Sequence, residues 1–296
     1  MKVMLTGASG FIGSHLSPGL QAAGHEILPV SRHPVPGGYD WSDASLAQAV
    51  QKADAVIHLA GENLFDKRWT RRQKVILRSS RTELTTKVAR LIAARKPACF
   101  ISASAVGYYG DSLDARFSES APQGRGFLAD LCGEWEASTS AAADAGVRTV
   151  ITRLGVVLGR GGGALAKMLL PFKLGVGGPI GSGKQWLSWI HVDDLTSLFQ
   201  FLLETSDGSG PFNATAPQPV TMKTFATALG RALHRPAIFP VPGPMLKLAL
   251  GEVADVLLTG QYVEPRRVCE FGFAFRFAGV DAALRDVMQP AASVGE

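Results

Sequence analysis

The sequence predicts an α/β fold with a parallel, doubly wound sheet, and three observations support this prediction. First, a short apolar stretch at 2–6 runs directly into the glycine turn Gly7-Ala8-Ser9-Gly10 and then into a helical pattern. Second, strand and helix patterns alternate along the N-terminal half of the chain. Third, near-continuous apolar runs such as 55–60 are typical of strands that are buried on both faces. Together these observations indicate a Rossmann-type domain.

The predicted elements follow in order along the chain. Strands are predicted at 2–6, 26–31, 55–60, 98–102, 148–153, 186–192 and 211–214. Amphipathic helices are predicted at 11–23, 67–95 and 127–145. Because consecutive parallel strands need a crossover connection, this alternation predicts one parallel sheet with helices on its faces.

The chain becomes richer in glycine and proline after residue 155. Glycines are dense at 159–163 and 175–183, and prolines are dense at 236–244, which predicts loops and a less regular substrate lobe. We expect residues 1–215 to form the nucleotide-binding domain, with 160–186 contributing to the lobe, and residues 216–296 to form a small C-terminal lobe.

Composition excludes several classes of protein. Of the 296 residues 46% are hydrophobic and 19% are charged, which predicts a sizeable core. The three cysteines and six histidines show no paired or metal-ligand spacing, so neither disulfides nor a metal site are predicted. The sequence shows no signal-peptide pattern and no apolar run of membrane-spanning length. We therefore expect a cytoplasmic protein that does not bind membranes. Its net charge of only +5 gives little support for nucleic-acid binding, so none is expected.

A strand, a glycine turn and a helix are what the phosphates of a dinucleotide require. Glycines let the turn tighten, let the backbone approach the pyrophosphate, and let the helix pack closely on the strand. The helix N-terminus adds unpaired N–H groups and partial positive charge. We therefore predict that Gly7, Gly10, Phe11, Ile12 and Gly13 hold a pyrophosphate; a turn that binds nothing is the alternative.

The end of the second predicted strand favours NADP over NAD. An NAD site usually has an acidic residue there, which binds the ribose hydroxyls. No acid lies between Glu26 and Asp40, and Ser31 and Arg32 stand at this position instead. Because a guanidinium can bind a 2′-phosphate with two hydrogen bonds, we predict that Ser31 and Arg32 recognise NADP.

Several segments resemble the extended short-chain dehydrogenase/reductase family. They are GASGFIG (7–13), AVIHLAG (55–61), ISASAVGYYG (101–110) and WIHVDDL (189–195). More narrowly, TRLGVVLG (152–159) and GGPIGSGKQWLSWIHVDDL (177–195) resemble an NAD-dependent epimerase/dehydratase-like subfamily with a C-terminal domain of unknown function. The resemblance implies hydride transfer between a nicotinamide and a carbonyl or sugar-like substrate, with Leu59, Ala60 and Gly61 lining the cofactor channel.

The resemblance also implies a catalytic serine, tyrosine and lysine, of which only the serine is present. Ser104 follows the fourth strand, where the family's serine orients the substrate oxygen. On the matching helix Leu128 falls at the tyrosine position and Cys132 at the lysine position, and no Tyr-x-x-x-Lys pair occurs in the chain. We predict Tyr108 as the substitute proton donor, since the family has a tyrosine at the position resembling Tyr109.

Other interpretations of the same residues remain open. Asp130, Cys132 and His191 are weaker candidates for the proton donor. The missing pair also allows a protein without turnover, either a sensor that binds NADP(H) or an interaction protein in which the nucleotide is structural.

Two further features bear on ligands and assembly. The segment Gly178–Lys184 resembles a phosphate-binding loop, but Gln185 stands where a magnesium-binding Ser or Thr is required, so nucleotide hydrolysis is rejected. In the lobe, Lys184, Gln185 and Trp189 are candidates for substrate contacts.

The spacing of five cations predicts one stripe on a helix, formed by Lys67, Arg71, Lys74, Arg78 and Arg81. Of these, Arg78 or Arg81 is expected to approach a phosphate or the substrate, because the resemblance places this helix beside the cofactor, and Arg81 is counted among the cofactor-binding residues. The resemblance implies a homodimer interface on this helix, but five like charges would repel their copies across its two-fold axis, so we expect a monomer or a weak homodimer.

Overall fold

The computed structural model describes residues 1–205 and 207–289, in which strands and helices alternate. The strands are β1 (Lys2–Thr6), β2 (Glu26–Val30), β3 (Ala55–His58), β4 (Cys99–Ala105), β5 (Arg116–Phe117), β6 (Arg148–Leu154), β7 (Val156–Leu158), β8 (Trp186–Leu187), β9 (Trp189–His191), β10 (Gly210–Ala214), β11 (Val220–Thr221) and β12 (Tyr262–Val263). The helices are α1 (Phe11–Ala22), α2 (Asp43–Lys52), α3 (Arg71–Arg95), α4 (Phe127–Ala137), α5 (Ser140–Asp144), α6 (Gly163–Lys173), α7 (Val192–Glu204), α8 (Met222–Leu233), α9 (Gly243–Leu250), α10 (Val253–Leu258), α11 (Arg266–Glu270) and α12 (Val280–Met288), and a 3₁₀ turn spans Val106–Tyr109.

Six parallel strands form the central sheet in the order β10-β6-β4-β3-β1-β2. Val3 of β1 pairs with Ile27 of β2 on one side and with Ala55 of β3 on the other. The strand order therefore extends from β1 in both directions, with β2 on one side and β3 on the other. Ligands of doubly wound folds bind beyond the carboxyl ends of the strands at such a switch point. The predicted fold class is confirmed, and it directs attention to the residues after β1 and β3.

The sheet is covered on both faces, which explains its apolar strands. In β1, Val3 and Leu5 pack into a cluster with α1 and α7, whereas Met4 between them packs into a cluster with α2 and α3 on the other face. Because successive side chains of a strand point to opposite faces, a strand between two helical layers needs apolar residues at every position.

A separate apolar cluster forms the core of the lobe. It joins Phe225 of α8 to Leu284 of α12, and it includes Leu165, Phe172 and Ile180 from the glycine-rich middle of the chain. The boundary between residues 215 and 216 stays a prediction, and residues 290–296 of the expected lobe lie outside the described residues.

Three predicted elements are wrong in their extent. The strand expected at 186–192 is divided into β8 and β9, which belong to different sheets. The division lies at Ser188, whose hydroxyl donates to the Gln261 carbonyl and accepts from the Val263 N–H. The helix expected at 127–145 breaks after Ala137, where the hydroxyls of Ser138 and Thr139 bond carbonyls of the preceding turn. The helix expected from residue 67 begins at Arg71.

Within the described residues, the longest helices are too short or too polar to cross a bilayer.

Candidate active site

The turn after β1 has the geometry of a phosphate-binding loop. Gly7 has a φ of +72°, and a Cβ added there would lie 3.2 Å from the Ala60 nitrogen. A Cβ on Gly13 would lie 2.3 Å from the Gly7 carbonyl oxygen, a distance that no side chain tolerates. Glycine is therefore required at both positions, the first for the turn itself and the second for close packing of α1 on the turn.

The N-terminus of α1 is free to receive an anion. Its N-cap, Gly10, has no side chain to bond the first N–H groups, and the first turn contains no acidic residue. These N–H groups and the helix dipole fit a pyrophosphate. Phe11 and Ile12 are half-buried here, and the Phe11 ring packs against a second glycine segment: a Cβ on Gly162 would lie 2.5 Å from the ring. Sequence reasoning missed this contact.

Arg32 lies at the edge of the sheet beside an acid that comes from another strand. Its side chain is 81% exposed, and Nη1 lies 4.0 Å from Oε2 of Glu62, which also pairs with Lys67 at 3.4 Å. The neighbouring Ser31 N–H donates to the Tyr39 carbonyl. Arg32 is thus an exposed cation in a weak surface ion pair, and its side chain is accessible to a phosphate. Glu62 follows β3 rather than β2, so the search for an acid after the second strand did not find it.

A buried chain of hydrogen bonds fixes the backbone after β3. Nδ1 of His58 lies 2.8 Å from the Thr6 hydroxyl, and Nε2 lies 3.1 Å from the hydroxyl of Thr85, which also accepts from Trp135. Thr6 already accepts from the N–H groups of Leu59 and Ala60, so its own proton goes to His58 Nδ1. Complete burial lowers the pKa of His58 to about 4, so the ring is neutral and carries its proton on Nε2.

Ser104 is buried and bonded to an ion pair. Its hydroxyl donates to Oε1 of Glu136 at 2.7 Å, and Glu136 accepts two further hydrogen bonds from Arg153, each 2.8 Å long. The hydrogen bonds to Glu136 keep the pKa of Arg153 above its usual value even though burial opposes this. In this arrangement the Ser104 oxygen can accept a hydrogen bond, but its single proton is already donated.

The two tyrosines after Ser104 differ in their surroundings. The Tyr109 hydroxyl donates to Asn213 at 2.7 Å and accepts from Arg153, and burial raises the pKa of this phenol. Tyr108 is half-buried, its ring lies 3.5 Å from the Arg153 guanidinium carbon, and its hydroxyl bonds no protein group in the described part of the chain. Tyr108 is thus the phenol with a proton to offer, and Tyr109 is part of the framework.

Leu128 and Cys132 of α4 face the turn that follows Ser104. A Cβ on Gly107 would lie 3.3 Å from Leu128 Cβ and 3.8 Å from the Cys132 sulfur. Burial, and next the Glu136 carboxylate, raise the pKa of the Cys132 thiol to about 12. Cys132 is therefore a neutral thiol at physiological pH, which weakens it as a nucleophile or proton donor.

The predicted stripe of five cations on one helix is wrong. Lys67 precedes α3, and Arg81 points inward on the face that buries Leu77 and Thr85, where it is 8% exposed. A helix places residues 77, 81 and 85 on one side, and this side faces the sheet and α4. The guanidinium carbon of Arg81 would lie 3.3 Å from a Cβ on Gly61, so Arg81 lies beside one of the residues expected to line the cofactor channel.

Two of the three lobe residues considered for substrate contacts are structural. Gln185 is buried and donates to the Ile180 and Leu257 carbonyls, and Trp189 is fully buried and donates to Gln218. Lys184 is exposed. Burial of polar side chains with satisfied hydrogen bonds indicates a framework role.

His191 lies close to Asp193 and Asp286, a set of groups that could suggest a metal site. However, Nδ1 of His191 accepts from the Asp193 N–H at 3.1 Å, so the neutral ring carries its proton on Nε2, the nitrogen that faces Asp286. For Nε2 to ligate a metal, the ring would have to move its proton to Nδ1 and give up the bond from the Asp193 N–H, so this hydrogen bond opposes a metal here.

Comparison with known proteins agrees with this geometry. A family model described as "NAD dependent epimerase/dehydratase family" matches residues 3–214, and a domain of unknown function (DUF1731) matches residues 241–287. Epimerase family protein SDR39U1 of Mus musculus is 42% identical, with 97% of this chain and 100% of the relative covered. The chloroplastic SDR39U1 homolog of Arabidopsis thaliana is also 42% identical, with 98% of this chain and 87% of the relative covered.

Among solved structures, the human epimerase family protein SDR39U1 (isoform 2) with NADPH superposes with a TM-score of 0.93. It is 40% identical, and 97% of this chain and 99% of that chain are covered. NADPH in this relative agrees with the cofactor expected from Arg32. On the family match over residues 3–214 and the relatives at 40% identity or more, the chain belongs to the NAD dependent epimerase/dehydratase family.

Proposed function

We propose that this protein binds NADP(H) and transfers hydride between the nicotinamide and a carbonyl or sugar-like substrate. The observation that carries the proposal is the turn after β1, where Gly7 and Gly13 leave no room for a side chain and Gly10 opens an uncapped helix N-terminus. Phe11 and Ile12 complete the predicted pyrophosphate site.

The remaining cofactor contacts are proposed from their positions around this turn. Ser31 and Arg32 would bind the 2′-phosphate, because Arg32 is exposed and only weakly paired. Leu59, Ala60 and Gly61 would line the ribose channel, because a Cβ on Gly7 would touch the Leu59–Ala60 backbone. The NADPH in the human relative supports this choice of cofactor.

The bound nicotinamide would supply a hydride, and the protein would manage the substrate oxygen and its proton. Ser104 is the proposed orienting group, although its proton is donated to Glu136 and would have to turn toward the substrate. Tyr108 is the proposed proton donor, because its hydroxyl bonds no protein group among residues 1–205 and 207–289 and Arg153 stacks on its ring.

A sensor without turnover is the second candidate, and the residues on α4 favour it. Leu128 cannot move a proton, and the pKa of Cys132 lies near 12. A site with these residues would bind NADP(H) and present its redox state to a partner protein.

Assembly and compartment are proposed from the sequence. We infer a monomer or weak homodimer in the cytoplasm, with no affinity for nucleic acid or membranes. The homolog from Arabidopsis thaliana is named chloroplastic.

A turnover screen with NADPH and variants of Ser104 and Tyr108 separates the two candidates. For the enzyme we expect that carbonyl compounds or sugar nucleotides are turned over, and that Ser104→Ala and Tyr108→Phe lose turnover by about 10²-fold while NADPH still binds. For the sensor, the wild type would bind NADPH and turn over none of these compounds. Wild-type protein that fails to bind NADPH would contradict both.

A further inference from the structure

Most of the exposed large apolar side chains of the described chain lie in two segments of the lobe, 170–176 and 238–248. Leu174 is 69% exposed and Leu248 is 80% exposed. The others, such as Val75 and Leu113, are scattered along the rest of the chain. Single apolar side chains are normal on a protein surface, whereas a contiguous group of them marks a contact with another molecule.

The two segments lie side by side and form one surface. The Phe239 N–H donates to the Gly177 carbonyl at 3.2 Å, which joins the chain after α6 to the chain before α9. Leu169 of α6 and Leu246 of α9 pack against the same core cluster of the lobe, and α9 has no fully buried residue. We call the exposed apolar side chains of this surface the lobe patch, which consists of Leu170, Leu174, Phe239, Met245 and Leu248.

The same part of the lobe carries the net positive charge of the protein. Segments 160–184 and 234–251 together contain six lysines and arginines and no acidic residue. The whole chain has 30 such cations and 25 acids, so the remaining residues carry 24 cations against 25 acids. The net charge of +5 therefore comes from the two segments that also form the lobe patch, and their field attracts anionic groups.

Three of these six cations are available for a partner. Lys167 pairs with Asp66 at 3.2 Å. Lys247 pairs with Asp255 at 2.8 Å, and Arg160 donates to a backbone carbonyl of α12. The other three are exposed and form no ion pair with any described residue; they are Lys173, Lys184 and Arg235. Lys173 lies three residues after Leu170 on α6, so a free cation and an apolar side chain share one face of this helix.

The charge of the surface decides which kind of molecule fits it. A second copy of the chain would place the cations of one lobe patch against those of the other, and neither segment has an acid to compensate them. An anionic bilayer would extend beyond the patch and meet the exposed carboxylates of Asp66 and Asp255, which pair with cations at its edge. A narrow acidic segment of a protein can contact the free cations without meeting these carboxylates.

We propose that the lobe patch binds an amphipathic segment of a partner protein, with apolar side chains on one face and aspartates or glutamates beside them. Burial of the patch supplies the binding free energy, and Phe239 and Met245 are of the residue types enriched in protein interfaces. Carboxylates of the partner pair with Lys173, Lys184 and Arg235, which orients the segment and accelerates its association. This binding does not depend on hydride transfer.

Fluorescence anisotropy with the full chain tests this proposal. The probes are three synthetic helical peptides with the same dye, which share leucine and phenylalanine on one face and carry glutamate, glutamine or lysine on the other. We expect the glutamate helix to bind about tenfold or more tightly than the glutamine helix, and the lysine helix not to bind. The affinity for the glutamate helix should fall as salt is added, because salt screens the opposite charges.

Matched variants assign the binding to the lobe patch. The double variant Leu170→Ser/Leu248→Ser should lose about tenfold or more in affinity for the glutamate helix, whereas the control Val75→Ser/Leu113→Ser should bind it like the wild type. Lys173→Glu should lose about threefold or more, whereas Arg90→Glu, which reverses an exposed cation of α3, should lose nothing. All these side chains are exposed, so thermal unfolding should show that each variant folds.

The proposal is overturned if the three helices bind equally well, if none of them binds, or if the controls lose as much affinity as the patch variants. Two further measurements identify the other occupants. Vesicles of phosphatidylcholine and phosphatidylglycerol that sediment the wild type but not Leu170→Ser/Leu248→Ser would assign the patch to a membrane surface. A dimer in analytical ultracentrifugation that dissociates in the same variant would assign it to a second copy. Either result would overturn the acidic protein segment as its occupant.

Discussion

The Arg153 guanidinium and the Glu136 carboxylate form a buried ion pair with two hydrogen bonds of 2.8 Å, and Ser104 donates a third to the same carboxylate. The pair joins β6 to α4 directly beneath the candidate active site. Because both charges are nearly inaccessible to water, neither can lose its partner without a large cost.

Glu136→Gln should therefore destabilise the protein more than an ordinary surface substitution. Removal of one partner from a buried pair typically costs about 3–5 kcal/mol. The double variant Glu136→Leu/Arg153→Met should regain part of this loss, since it leaves no buried charge behind. Denaturant unfolding of the wild type, Glu136→Gln and the double variant gives their free energies of unfolding. A double variant less stable than Glu136→Gln would contradict the account.

Gly13→Ala should abolish NADPH binding, because its Cβ would lie 2.3 Å from the Gly7 carbonyl oxygen and would force the turn open. Gly279→Ala is the matched control outside the turn, where the added Cβ would lie at an ordinary contact distance of 3.6 Å from Oε1 of Gln218. Fluorescence titration with NADPH should show a loss of about 10²-fold or more for the first and nearly wild-type affinity for the second. Equal affinities would mean that the turn does not hold the cofactor.

His58 should make stability fall in mild acid. Its folded pKa is about 4 against an ordinary value of 6.5, so between these pH values the unfolded chain binds a proton that the folded chain does not. Stability should thus decrease as pH falls from 6.5 to about 4, by about 3 kcal/mol from this group, and show no change from it above that window.

His58→Gln is the test of this assignment. The variant will be less stable near neutral pH, since it loses hydrogen bonds to Thr6 and Thr85, but its stability should depend less on pH across the same window. Denaturant midpoints measured at several pH values compare the two. If the stability of the variant depends on pH as strongly as that of the wild type, groups other than His58 cause the pH dependence.

Cys132→Lys should be poorly tolerated, although lysine is the family's residue at the matching position. The new ammonium would be buried beside Arg81, and the nearby Glu136 carboxylate is already paired with Arg153, so the two cations would repel each other in a low-dielectric site. Cys132→Lys/Arg81→Met should recover stability, because it returns the site to one cation. Thermal unfolding compares the stability of the single and the double variant. A single variant that is as stable as the double variant would show that Arg81 does not fill the cationic position.

Local patterns along the chain were sufficient to predict the sheet and the glycine turn. Strand β1 and the turn at Gly7 are contiguous, and their apolar and glycine pattern directly reflects burial on two faces and a tight backbone. The break between α4 and α5 was not predicted, because it depends on which carbonyls the hydroxyls of Ser138 and Thr139 bond.

The surroundings of the site residues could not be predicted in the same way. The spacing of Arg81 from the other cations predicted an exposed position, but α3 is oriented so that this residue faces Gly61 and α4. Glu136 and Arg153 are 17 residues apart, and Thr6 and His58 are 52 residues apart. Such partners are decided by strand order and helix packing, which a local pattern does not contain.

The most direct test of the account is a calorimetric titration of the purified protein with NADPH and with NADH, alongside Arg32→Ala. Arg32 is exposed, so its removal should leave stability unchanged. We predict that NADPH binds more tightly than NADH, and that Arg32→Ala loses about 10–100-fold in NADPH affinity with little change for NADH, as expected for a charged hydrogen bond to the 2′-phosphate. Absence of binding by either nucleotide would contradict the central claim, and equal binding of both would contradict the role of Arg32.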